Sequence, residues 1–171
     1  TLEHDTDYAR NNSLVQVDND TYALAYRGPD DDGFITTFTI PADGSSITKV
    51  ATLEHDTDYA RNNSLVQVDN DTYALAYAGT DDDGFITTFT IPADGSTITQ
   101  GPTLEYDTGN GKGNSLVQVD EDTYALAYTG PGNDGFITTF TIPADGSTIT
   151  KVDSLEYDTG SGRSNSLVQV D

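Results

Sequence analysis

Asp20-Thr21-Tyr22-Ala23-Leu24-Ala25-Tyr26, followed after a short link by Gly33-Phe34-Ile35-Thr36-Thr37-Phe38-Thr39-Ile40, is the stretch that decides the fold. Its apolar residues alternate with period two, and its β-branched and aromatic side chains suit a pleated surface. The three-to-four spacing of an amphipathic helix is missing. The pattern predicts strand B at residues 21–26 and strand C at residues 34–40. In B, Tyr22, Leu24 and Tyr26 share one face while Ala23 and Ala25 share the other; in C, Phe34, Phe38 and Ile40 oppose Ile35, Thr37 and Thr39. Such a sheet has one bulky face and one small face, and both are apolar enough to be buried.

Working outward, residues 13–17 read as strand A and residues 46 to about 54 as strand D. Asp18-Asn19-Asp20 joins A to B and Pro41-Ala42-Asp43-Gly44 joins C to D, both rich in residues that tolerate a tight or left-handed backbone. Residues 28–33 join B to C. Links this short force neighbouring strands to run antiparallel, so the unit is a four-stranded meander. The unit then recurs: residues 1–51, 52–102 and 103–153 align without a gap, and residues 154–171 begin a fourth copy. The corresponding sheets are expected at about 12–56, 63–107 and 114–158. Self-similarity at this period is the mark of a repeat architecture. A sheet with a bulky face and a small face stacks on its own duplicate, rings filling hollows at each interface. Radial stacking of four-stranded sheets gives a β-propeller, and a period near 50 suits it better than the 20 to 30 of a leucine-rich solenoid. A β-solenoid or a linear stack of sheets is the alternative.

The segments Asn-Ser-Leu-Val-Gln-Val-Asp, Asp-Thr-Tyr-Ala-Leu-Ala-Tyr, Gly-Phe-Ile-Thr-Thr-Phe-Thr-Ile and Asp-Gly-Ser recur along the whole chain. In them the unit resembles a blade of the highly repetitive bacterial β-propellers. The resemblance implies that strand A lines a central channel, and that the setting is a bacterial, extracellular or cell-surface one. It departs from other propeller classes: the chain has no Trp, so the Trp-Asp signature is missing, and Pro-Ala-Asp-Gly-Ser is not the Ser-x-Asp-x-Gly-x-Thr-Trp box of sialidases.

Composition narrows the function classes. The chain has 171 residues, 35% of them hydrophobic, and 29 acidic against 7 basic side chains, a formal charge of -22. That excess argues against nucleic acid or an anionic membrane as a partner. It also pushes the strands of the folded state apart, so salt or divalent cations are expected to help the fold. With no cysteine there is no disulfide or thiol chemistry. No run approaches 18 apolar residues, so no membrane span is expected, and no apolar leader opens the chain.

Three units and fragments do not close a ring that needs about four to eight blades. Residues 1–5 read as a strand D and residues 166–170 as a strand A, each without the rest of its sheet. The expectation is completion by self-association, a homodimer first, or by a longer parent chain.

The A-B and C-D turns fall on one rim, and the B-C and D-to-A loops on the other. The first rim hardly varies between copies, whereas the second does: Arg27-Gly28-Pro29-Asp30 becomes Ala78-Gly79-Thr80-Asp81 and then Thr129-Gly130-Pro131-Gly132. Variable loops on a rigid scaffold are where binding resides, although unconstrained loops also drift. The candidate ligand residues on this rim are His4, Tyr8, Arg10, Arg27, His55, Tyr59, Arg61, Tyr106, Lys112, Tyr157 and Arg163. A glycan or a protein is the ligand class that fits them. The acidic tips holding Asp30, Asp32, Asp81 and Asp83 invite a calcium reading. Adjacent Asp residues splay their carboxylates and no Glu follows at the twelfth position, so turn chemistry accounts for them better and no cofactor is expected. Glu3 with Asp5 recurs as Glu54 with Asp56, Glu105 with Asp107 and Glu156 with Asp158. A carboxylate pair repeated in every unit points to a structural or turn-capping role, since an active site needs unlike groups converging once. The sequence therefore reads as a non-enzymatic scaffold or interaction module; a multivalent lectin and a fragment of a propeller hydrolase are the alternatives.

Overall fold

The computed structural model describes residues 2–5 and 8–169. The outer ends expected for the terminal strands, Thr1 and Val170, lie outside these, as do Thr6, Asp7 and Asp171. The described residues form three four-stranded antiparallel sheets, each in strand order A-B-C-D. Blade 1 holds β1 (Arg10–Asp18), β2 (Thr21–Arg27), β3 (Gly33–Thr39) and β4 (Thr48–Asp56). Blade 2 holds β5 (Arg61–Asp69), β6 (Thr72–Ala78), β7 (Gly84–Thr90) and β8 (Thr99–Asp107). Blade 3 holds β9 (Lys112–Asp120), β10 (Thr123–Thr129), β11 (Gly135–Thr141) and β12 (Thr150–Asp158).

Two strand starts differ from the sequence reading by more than one residue, each for a local reason. Strand A begins at Arg10 rather than Ser13, because Asn11 takes a left-handed φ of 54° and the register slips between Arg10 and Ser13, so a bulge extends the strand. Strand D begins at Thr48 rather than Ser46, because the Ser45 amide is held in the turn by Asp43 Oδ1 at 3.0 Å. The B-C link closes as a short 3-10 turn, Pro29–Asp31 in blade 1.

The two-faced sheet nests as its composition requires. Ala23, Ala25 and Ile35, with Val15 and Leu53, pack on Leu65, Tyr73, Leu75, Tyr77, Phe89 and Ile91 of the next blade. Ala74, Ala76 and Ile86 meet Leu116, Tyr124, Leu126, Tyr128, Phe140 and Ile142 in the same way. In blade 2, covered on both sides, every residue of β6 is buried. Neighbouring sheets come closest along strand A, β1 against β5 and β5 against β9, and strand B also meets the next strand A. They fan outward from that edge, as blades around an axis do.

Three further ties repeat at each interface. Tyr77 Oη donates to Asp56 Oδ2 of the preceding strand D at 3.0 Å, and Tyr128 Oη to Asp107 Oδ2 at 3.0 Å. The amides of Leu65 and Leu116 donate to Ser13 and Ser64 Oγ at 2.9 and 3.0 Å. Thr37 and Thr88 hydroxyls donate to the carbonyls of Gly95 and Gly146 at 2.7 and 2.8 Å. This last bond explains why Pro-Ala-Asp-Gly-Ser does not vary. The turn reaches back onto the preceding blade, and a Cβ on Gly95 would lie 2.9 Å from Thr21 Cγ2.

Candidate functional site

The D-to-A and B-C loops do share one rim, but they divide the sequence-selected residues into two groups. His4, His55, Tyr106 and Tyr157 occupy one repeat position, and at His55 and Tyr106 that position is part of the interface between blades. His55 packs edge-on against Tyr77 and Phe89, with ring centres 5.1 and 5.7 Å apart, and Tyr106 does the same against Tyr128 and Phe140. Both are buried. His4 makes the same contacts with Tyr26 and Phe38. Tyr157, at the end of the array, is exposed and bonds through its hydroxyl to Asn165 Oδ1.

The reason lies in the aspartate that follows each of them. Asp107 Oδ1 caps the turn, accepting the amides of Gly109 and Asn110 at 2.9 and 3.2 Å, while Oδ2 receives Tyr128. Asp158 Oδ1 caps the amides of Gly160 and Ser161 in the same way, and those bonds hold its carboxyl below the usual range. The aspartates of the repeated pairs are turn caps and interface acceptors. His55 with Asp56, and Tyr106 with Asp107, therefore meet the same tyrosine of the next blade, ring against ring and carboxylate against hydroxyl.

The second group does converge. Arg27, at the end of β2, lies directly across the strand pair from Arg10. The guanidinium carbons of Arg27 and Arg61 sit 5.8 and 4.4 Å from the centre of one ring, Tyr59, and that of Arg10 lies 4.9 Å from the centre of Tyr8. Asp31, which the sequence reading did not single out, binds this group: it pairs with Arg27 Nη2 and accepts Tyr8 Oη at 2.7 Å. Burial, then the neighbouring Arg61 and Arg10, hold Arg27 below the usual guanidinium range. At the next junction Asp82 takes the place of Asp31 and is shared by Arg61 at 3.5 Å and Lys112 at 2.7 Å. At the third, where Thr129 stands at the position of Arg27, a hollow of about 420 Å³ opens between Lys112 and Arg163.

The acidic tips are backbone chemistry. Asp30 and Asp81 take φ of 55° and 58°, with Asp31 and Asp82 also left-handed, a conformation Asp accepts at lower cost than most residues. Asp32 is pushed up by burial and by facing Glu54. Asp83 lends its carbonyl to the Gly79 amide at 2.9 Å. Among the described residues, no three His, Cys, Asp or Glu side chains come together in a way that could hold a metal ion.

No family model matches the chain, and no curated protein does. Solved structures do. The periplasmic gluconolactonase PpgL of Pseudomonas aeruginosa aligns over 91% of this chain and 41% of its own length, with a TM-score of 0.66 at 12% identity. Sqt1 of Saccharomyces cerevisiae aligns over 94% of this chain and 38% of its own, with a TM-score of 0.61 at 11% identity. A NanB sialidase structure from Streptococcus pneumoniae aligns over 89% of this chain and 24% of its own, with a TM-score of 0.58 at 12% identity. The chain thus spans less than half the length of each. These are β-propellers, and at such identity the likeness shows the fold alone: three four-stranded propeller blades.

Proposed function

We propose that this chain is a non-catalytic propeller scaffold that completes its ring with a second copy of itself, six blades in all, and presents the variable rim to partners. The observation that carries the reading is an uncovered half-interface at each end. Leu14, Leu24, Ile40 and Ile47 of blade 1 stand at the repeat positions of Leu65, Leu75, Ile91 and Ile98, which in blade 2 receive the small face of blade 1. Leu65 is buried, whereas Leu14 is 57% exposed. Blade 3 leaves Val119 and Leu155 of its small face exposed. Gly44, the counterpart of Gly95, has nothing for its turn to reach. One end therefore offers the bulky half of an interface built twice inside the chain and the other end the small half, the head-to-tail arrangement that closes a ring.

The end segments hold the places of the missing neighbours. Residues 2–5 lie where a preceding strand D would, with Lys49 Nζ donating to His4 O at 3.1 Å and Tyr26 Oη to Asp5 Oδ2 at 3.1 Å. Residues 164–169 lie where a following strand A would, the Leu167 amide donating to Ser115 Oγ at 2.9 Å. A second copy docking on blade 3 would set its own β1 in that place and displace the segment.

Light scattering of the purified chain tests this. The expected mass is about twice 18.3 kDa, and Leu24→Asp, on the open face, is expected to halve it while leaving the strand circular dichroism intact. A folded wild-type monomer would overturn self-completion and leave a longer parent chain as the source of the other blades.

A further inference from the structure

Blade 1 carries an electrostatic cost that its sister blades lack. Arg10 and Arg27 are direct cross-strand partners, while the same positions pair Arg61 with Ala78 and Lys112 with Thr129. Like charges directly opposite each other destabilise a strand pair. Arg27 is also largely removed from water, its side chain 13% exposed, and Arg61 of the next blade shares the Tyr59 ring with it. Asp31 and the tyrosine faces offset part of this. Yet Nε of Arg27 and Nε of Arg61 are both buried with no hydrogen-bond partner among the described residues, and an unpaired buried donor is destabilising. Three cations, Arg10, Arg27 and Arg61, gather at this one junction, with Asp31 and Asp82 as their ion-pair partners among the described residues.

We infer that the junction of blades 1 and 2 is a binding site for a small oxyanion, a carboxylate, sulfate or phosphate group held between the guanidinium groups of Arg27 and Arg61 with Arg10 flanking. A planar guanidinium presents paired N–H donors that match two oxygens of such a group, and the tyrosine faces hold the arginines in place. Bound there, the anion screens Arg10 from Arg27. The site is unique in the chain because Arg27 is: Ala78 and Thr129 replace it in the other copies. On the rim of a scaffold, such a site takes a ligand by its acidic group, an acidic sugar or a side-chain or terminal carboxylate of a peptide.

The chain supplies its own control, since Arg27→Ala reproduces what blade 2 already tolerates at Ala78. Arginine Nε–H resonances are followed by NMR while sodium sulfate, inorganic phosphate or sodium glucuronate is titrated against sodium chloride of equal ionic strength. The expected result is a saturable shift of the Arg27 and Arg61 signals, with Kd on the order of 1 mM, lost in Arg27→Ala and kept in Lys151→Ala, a change on strand D. A tighter glucuronate than sulfate curve identifies a carboxylate ligand, and the reverse an inorganic or ester oxyanion. Linear shifts that chloride reproduces, or a saturable shift that survives Arg27→Ala, would overturn the site. The test is independent of ring closure, because both arginines lie within one chain.

Discussion

Where blade 1 meets blade 2 the corner holds His55 with Ala60, and where blade 2 meets blade 3 the same places hold Tyr106 with Gly111. In the second corner the Tyr106 hydroxyl reaches past Gly84 and donates to Asn114 Oδ1 at 2.8 Å. That reach needs glycine at 111: a Cβ there would lie 2.2 Å from Gly84 Cα and 3.0 Å from the Tyr106 hydroxyl. In the first corner the shorter imidazole stops at Gly33, and Ala60 fills the space beyond. Both ring nitrogens of His55, and Asn63 Oδ1, are left buried without a partner. His4 pairs with Ala9 and Tyr157 with Gly162 in the remaining copies. Part of the variation on this rim is thus size compensation inside an interface, one residue growing where its neighbour shrinks, and needs no ligand to explain it.

The largest expected consequence is a difference in acid sensitivity between the corners. Burial pushes His55 down to about 4 from its ordinary 6.5, so between those values the unfolded chain binds a proton that the folded chain refuses. Stability is therefore lost as pH falls from about 6.5 toward 4 and levels off below, by up to roughly 3 kcal/mol for this one group at 1.36 kcal/mol per unit. The Tyr106 corner titrates only far above neutrality, since burial raises that phenol well beyond its normal range. Urea unfolding at pH 7 and pH 4.5 is expected to show a larger acid loss for the wild type than for His55→Tyr with Ala60→Gly, the carboxylates being common to both. Equal losses would mean that His55 is hydrated in solution.

The comparison also shows what the sequence could and could not disclose. Period-two alternation in residues 21–26 and 34–40 placed strands B and C because burial on both faces leaves that pattern no other reading. The bulky and small faces were legible for the same reason, as Tyr22, Leu24 and Tyr26 stand opposite Ala23 and Ala25. The depth of His55 was hidden, because the alternation of strand D was read only to about Glu54, whereas β4 runs on to Asp56, which reaches Tyr77 in another repeat. The joint exchange of His with Ala and of Tyr with Gly, five residues apart, was the available signal. Arg10, Arg27 and Arg61 were legible as variable-rim cations, but the Arg10–Arg27 pairing depends on the bulge at Asn11, which no local residue pattern fixes.

A smaller effect is expected from inserting one methyl group into the tyrosine corner. Gly111→Ala sets a Cβ against the Gly84 backbone, which has no flexible end to move, and overpacking of this kind costs about 1–3 kcal/mol. Adding Tyr106→His shortens the ring as in the first corner and should recover part of the loss in a denaturant midpoint. If Gly111→Ala is silent, the two corners are not sterically coupled and the paired exchange is coincidence.

The smallest effect tests the pairing itself at neutral pH. Converting the first corner with His55→Tyr and Ala60→Gly gains a hydrogen bond to Asn63, worth about 0.5–1.5 kcal/mol. It gives back about 0.4–1 kcal/mol for the added backbone freedom of glycine. The net change at pH 7 should then lie within about 1 kcal/mol of zero, and its meaning comes from the single variants. His55→Tyr alone drives the hydroxyl into the Ala60 methyl, and Ala60→Gly alone opens a void beside the imidazole, so each should fall below the double variant. Neighbouring residues that share a space show coupling of about 0.5–3 kcal/mol in a double-mutant cycle. A cycle that closes to zero would show that the repeats tolerate either residue at each position independently, and the exchange would then carry no information about how blades are matched.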